Sequence, residues 1–248
     1  MEHKQRVKIA KILGKFLVRK YKKNIIAIGI YGSTARNEDK KYSDLELICI
    51  SKKPFKNIAS GYKDIHVLLF FNTPEQYRNS TFPDDKWPIR ASTYFDIIPV
   101  YDPTKFFEKI KISLKTINYS VYIDSAKKCL SMCHQHFLKM KNSIYMKDRI
   151  GFEEDSYNFY FCSAMFYALI NRKYYKNKKH IIDDIENFEI VPKNYKKIMS
   201  LLREHKSSEK VIFSESSKIL KRMFSDAKRI GIKYKVYNNL TEFLNCSS

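Results

Sequence analysis

The residues in this chain best suited to chemistry are Asp44 and Glu46, which flank one leucine at the head of an apolar run. Before them, with ten residues between Ser33 and Asp44, comes Gly32-Ser33-Thr34-Ala35-Arg36. Side chains alternate across a strand, so Asp44 and Glu46 leave from one face while Leu45 and Leu47 turn to the other. Two carboxylates ~7 Å apart can clasp Mg²⁺, a hard cation that takes oxygen ligands and keeps positions open for triphosphate oxygens. Gly32 lets the backbone approach phosphates, the Ser33 hydroxyl and nearby N–H groups can donate to them, and the Arg36 fork suits a phosphate. Alone, an Asp-x-Glu reads as two solvated acids. Its conjunction with a preceding strand, a Gly-Ser turn and a basic residue points to a nucleotide site.

The elements that must position these residues can be read from periodicity. Residues 4–22 place Ile9, Ile12, Leu13, Phe16, Leu17 and Tyr21 at spacings of three and four, which predicts a helix with one apolar side and a basic remainder. Strands are predicted at 25–31, 44–50, 64–71 and 92–102, short runs rich in β-branched and aromatic residues with turn residues between them. Asp102-Pro103 ends the last of these and opens a helix. From about 105 the period becomes helical, with helices predicted at 105–115, 120–145, 155–176, 192–205 and 213–230. The fold class is therefore α+β: a sheet domain over 1–115, then a helical bundle over 116–248.

The composition is that of a folded globular chain, with 44% hydrophobic and 29% charged residues. No apolar run approaches the ~18 residues of a membrane span, and Lys or Arg interrupts the first 23 residues every few positions, which excludes a signal peptide there. Five cysteines, Cys49, Cys129, Cys133, Cys162 and Cys246, are odd in number and scattered, which argues against a disulfide framework and for a reducing, cytoplasmic setting. The formal charge of +21 fits a polyanionic partner such as RNA, although the lysines are spread along the chain and accompany abundant Asn, Ile, Tyr and Phe.

The segment GIYGSTARNEDKKYSDLELICI, with Ser43 directly before the paired acids, resembles the active-site loop of the DNA polymerase β nucleotidyltransferase superfamily. Within that superfamily it is similar to the aminoglycoside nucleotidyltransferases of the kanamycin nucleotidyltransferase type. The block KWPIRASTYFDIIPVYDPTKFFEKI, with Trp87-Pro88 and Ile98 to Asp102, extends the likeness to about residue 110, and a weaker colinear match runs to about 205. The resemblance implies a mixed-sheet, polymerase-β-like domain followed by helices, a homodimer, and active sites built where two subunits meet. It implies Mg²⁺-dependent transfer of a nucleoside monophosphate from ATP or another NTP to an acceptor hydroxyl, with release of pyrophosphate. Asp44 and Glu46 match the metal ligands, Gly32, Ser33, Arg36 and Ser43 the phosphate loop, and Lys139 a nucleotide-contacting lysine. The implied acceptor is a small molecule, with aminoglycosides the first candidates. The alternatives are RNA or a protein as acceptor, or a nucleotide-binding module without transfer activity.

Two departures bear on mechanism. Where the resembled family has a glutamate base one turn before the lysine, this chain has Gln135, a neutral amide that cannot take a proton. His66, alternating with Asp64 along the third core strand, is the replacement candidate, with Asp96 on the next strand as the second. The group Cys129, Cys133, His134 and His136 has the ligand types for zinc, but the helical rise separates Cys129 from His136 by ~10 Å, too far for one ion. The excess of basic over acidic residues, 47 against 26, also opposes the approach of a polycationic aminoglycoside at long range.

Overall fold

A computed structural model describes residues 1–204 and 207–236. These form two compact units, one comprising Met1–Asn118 with Tyr174–Lys178, the other Tyr119–Lys173 with the chain from Lys179 onward.

Alternation of apolar residues in the first unit builds one five-stranded sheet in the order β3-β4-β2-β1-β5. Its strands are β1 (Ile25–Tyr31), β2 (Leu45–Ser51), β3 (Ile58–Tyr62), β4 (Ile65–Asn72) and β5 (Ile98–Tyr101). The sheet is mixed: β2 runs parallel to β4, and the other pairings are antiparallel. One face presents Ile28, Ile30, Leu45, Leu47, Cys49 and Leu69 to helix α1 (His3–Tyr21). The opposite face presents Ala27, Ile48 and Ile50, covered by α3 (Pro74–Thr81), α5 (Ser92–Phe95) and α6 (Phe106–Lys115). Between them lie the short α2 (Gly32–Ala35) and α4 (Trp87–Arg90). Local chemistry sets the starts of these helices. Thr73 and Gln76 form a reciprocal cap on α3 with Pro74 in its first turn, and the Asp102 carboxylate accepts from the Phe106 and Phe107 N–H groups.

Two strand expectations are corrected, and one strand is added. Residues 92–95 form a helical turn, and only Ile98–Tyr101 of the predicted 92–102 strand pairs with β1. β3 is an additional strand whose five residues are all exposed, so no buried alternation marks it in the sequence. Asp64 does not alternate with His66, because it sits in the tight turn between Tyr62 and Ile65, ahead of β4.

The second unit is helical among its described residues. It comprises α7 (Tyr119–Met146), α8 (Arg149–Ile170), α9 (Ile181–Asp184), α10 (Tyr195–Glu204) and α11 (Glu209–Arg229). The sequence places the start of α8 six residues late: Asp148 caps the helix through the Gly151 N–H, and the helix ends at Ile170, before the predicted 176. The predicted end at 205 and Cys246 lie outside the described residues. The four described cysteines, Cys49, Cys129, Cys133 and Cys162, are all buried.

The segment Tyr174–Lys178, lying in sequence between helices of the second unit, is part of the first. There Tyr174 stacks on Phe95 with ring centres 5.0 Å apart, and the Tyr175 N–H donates to the Pro88 carbonyl at 2.8 Å. No described helix is long and apolar enough to cross a membrane.

Candidate active site

β1 and β2 lie side by side with Tyr31 opposite Glu46, so both side chains leave the sheet on the face away from α1. Asp44 is exposed one residue ahead of β2, and Glu46 is half-buried. Burial pushes the Glu46 carboxyl above the ordinary carboxylate range, and the Asp44 charge adds to the rise, while the bonded Tyr31 hydroxyl and the Arg36 guanidinium oppose it. Burial and the Glu46 charge in turn raise the Tyr31 phenol. A partly desolvated carboxylate beside a second one is a place where a divalent cation relieves repulsion. Among the described residues no group of three or more His, Cys, Asp or Glu stands together.

The Gly32-Ser33 turn is pinned to this pair. Gly32 has φ +73°, a left-handed conformation that glycine adopts without cost, and a β-carbon there would overlap Glu46 Oε2. Ser33 follows in α2, half-buried, its carbonyl accepting from the Glu38 N–H at 2.9 Å. Thr34 is buried with its hydroxyl unpartnered.

Arg36 is committed within the protein. Its Nε donates to Glu38 Oε2 at 2.9 Å, and a terminal nitrogen lies 3.6 Å from Asp96 Oδ2. Lys176 approaches Glu38 from the other side at 3.5 Å, and the Tyr174 hydroxyl donates to Asp96 at 3.4 Å. Burial raises the Asp96 carboxyl, against the pull of Arg36. Asp96 is therefore a partner of Arg36, and Arg36 in turn acts on Glu46 through its charge.

The loop leading into Asp44 is held by a buried cation that sequence reasoning missed. Arg6 on α1 is 0% exposed and uses all three guanidinium nitrogens. Nε donates to the Ser43 carbonyl, one terminal nitrogen to Met1 O and Asp39 Oδ2, and the other to Lys40 O and Lys41 O, at 2.7–3.1 Å. His3 Nδ1 meets the second Asp39 oxygen at 2.6 Å. The Ser43 hydroxyl accepts from the Lys40 N–H at 2.8 Å, so it closes this turn. The signal was present in the sequence, because Arg6 falls on the same helical stripe as Ile9, Leu13 and Leu17.

The register sets Leu68 beside Glu46 and ends at Leu45 and Val67; His66 lies on β4 one residue before that end, two before Leu68, and is exposed. Lys139 and Gln135 belong to the second unit, both exposed on α7. On the same helix His134 meets the Tyr234 hydroxyl at 3.0 Å, and His136 Nδ1 meets Asp155 at 2.8 Å. Cys133 is packed toward Cys162, and its buried thiol is raised well above the ordinary range. The two histidines are thus engaged with partners outside the cysteine pair.

Residues 104–242 match the family model described as the KNTase C-terminal domain. Over 130 residues, half of this chain, the sequence is 27% identical to the aminoglycoside nucleotidyltransferase (4') of Staphylococcus aureus and equally to that of a Bacillus species. The match spans about half the length of these relatives, 51%. A crystal structure of a nucleotidyltransferase-like protein from Exiguobacterium sibiricum superposes with a TM-score of 0.57 over 87% of this chain and 74% of its own, at 9% identity. That likeness is one of fold.

Proposed function

The chain belongs to the KNTase C-terminal domain family, and from that premise we propose that it transfers a nucleoside monophosphate from ATP or another NTP to a hydroxyl of a small molecule, aminoglycosides foremost. The observation that carries the reading is the placement of Asp44 and Glu46 beside a loop whose glycine lies against the Glu46 carboxylate. The named activity of the relatives supports the acceptor class.

In this reading Asp44 and Glu46 hold Mg²⁺, which supplies positive charge against the triphosphate. Gly32 keeps the loop backbone close enough for Ser33 to reach phosphate oxygens. Arg36, paired with Glu38 and Asp96, sets the field at Glu46 and positions the loop. The acceptor oxygen bonds to the α-phosphorus, the bond to the β-phosphate oxygen breaks, and pyrophosphate leaves. The acceptor proton goes to His66, exposed at the start of β4 two residues before Leu68, the neighbour of Glu46. Lys139 binds nucleotide, and the working protein is a homodimer in the cytoplasm.

Parallel incubations with labelled ATP, a panel of aminoglycosides and total RNA test this. The expected result is pyrophosphate release that requires an aminoglycoside and disappears in Asp44→Asn. Release that requires RNA instead would transfer the reaction to a nucleic-acid acceptor, and no release with any acceptor would overturn it.

A further inference from the structure

α1 covers the sheet face opposite Glu46, and its outer side has no part in the proposed transfer. From His3 to Asn37 the chain has no acidic residue. Lys4, Lys8, Lys11, Lys15 and Arg19 recur at steps of three and four, forming one exposed stripe ~22 Å long. Lys20, Lys22 and Lys23 continue it, also exposed. Among the described residues none of these eight cations is ion-paired. α11 carries acidic partners for part of its charge: Lys218 pairs with Glu215, and Arg222 and Arg229 pair with Asp226, while Lys210, Lys221 and Lys228 stay exposed there without an ion pair among the described residues. A stripe left without counter-charge by its own element is a surface for an external polyanion.

The stripe borders a groove of about 590 Å³ between α1 and the edge strand β5, lined by Lys11, Lys15, Arg19, Pro99, Val100 and Tyr101. Gly14 allows this close approach, because a β-carbon there would lie 2.7 Å from Val100 Cγ1. Cations alongside an aromatic ring in a groove match a single nucleic-acid strand, whose phosphates take the charge while an unstacked base lies on the ring. A duplex would use the charge and leave the groove idle. A lipid surface calls for a broad outward apolar face, whereas α1 offers only Ile12 and Phe16 beside the lysines.

We propose that the basic stripe of α1 and its groove with β5 bind single-stranded RNA, on the sheet face opposite the nucleotide site and independently of the transfer reaction. If five stripe cations each meet a phosphate, log Kobs should fall with log salt at a slope of about −3.5. Fluorescence anisotropy with a labelled oligouridylate of about 12 nucleotides measures this. Lys11→Gln/Lys15→Gln/Arg19→Gln should flatten the slope by about 2. Lys210→Gln/Lys221→Gln/Lys228→Gln on α11, with the same loss of charge, should leave it unchanged. Tyr101→Leu, which keeps the apolar bulk, should weaken binding roughly tenfold at constant slope. Equal flattening by both triples would overturn the proposal, as would absence of binding. Tighter binding of the matching DNA would overturn the RNA assignment. Capture by anionic phospholipid vesicles in place of RNA would make the surface a membrane contact.

Discussion

Gly32 and Glu46 are in direct contact: the bare α-carbon of the glycine faces the carboxylate, and an added β-carbon would overlap Oε2 and lie 3.3 Å from the carboxyl carbon. With φ at +73°, Gly32→Ala also forces a side chain into the left-handed region, at about 1–2 kcal/mol. The protein should remain folded by circular dichroism with a lowered melting temperature. Displacing Glu46 by even ~1 Å should cost on the order of 10²-fold in pyrophosphate release. Full activity in Gly32→Ala would remove Glu46 from the site.

The raised Glu46 carboxyl gives a stability signature. The unfolded chain releases this proton near the ordinary ~4.3, below the raised value of the folded state. The folded state therefore loses relative stability as pH rises through that window, and the penalty is complete above it. Without divalent cation, Glu46→Gln should melt higher than the parent at about pH 7, with the gap closing near pH 4. Added Mg²⁺ should raise the parent's melting temperature and leave the variant's unchanged. Identical cation responses would show that the ion binds elsewhere. Asp44→Asn and Glu46→Gln should each abolish transfer with the fold retained.

Arg6→Met should destabilise by about 3–5 kcal/mol in chemical denaturation, because it strands the buried Asp39 carboxylate. Adding Asp39→Asn to Arg6→Met should recover part of that loss, a coupling measurable in a double-mutant cycle. Additive effects would show that Arg6 and Asp39 act independently.

His66→Ala should lower turnover ~10²- to 10⁴-fold with little change in ATP affinity, and Gln135→Glu should raise turnover on a hydroxyl acceptor. A silent His66→Ala together with a damaging Gln135→Glu would assign Gln135 to substrate binding and the base to another residue.

Mixing inactive Asp44→Asn with inactive Lys139→Met protein should restore part of the activity if a site draws on two subunits. A monodisperse, active monomer in solution scattering would exclude it.

The central strands were legible because β1 and β2 are core strands with long β-branched runs, and Asp44 and Glu46 broke that pattern visibly. The misread parts have physical causes. Ser92–Phe95 has strand-type residues, yet Tyr94 and Phe95 are needed as a helical turn to pack on Tyr77 and Tyr174. β3 exists because β4 offers it an edge, and its own exposed residues carry no pattern. Tyr31 as partner of Glu46 follows from the β1–β2 register, which a single strand does not encode. The engagement of Arg36 by Asp96 joins residues sixty positions apart, 96 against 36, and periodicity is silent at that range.

The return of Tyr174–Lys178 to the first unit constrains synthesis as well as structure. A ribosome that has released residues 1–118 has delivered every strand of the sheet, yet Phe95 still lacks its stacking partner, Pro88 its donor from Tyr175, and Asp96 its tyrosine. The nascent sheet unit must wait through α7 and α8 before it can close, exposing apolar surface in the interval. A cut between the units at residue 118 would yield a sheet fragment with that surface permanently open, so the first unit is not severable in sequence even though it is compact in space.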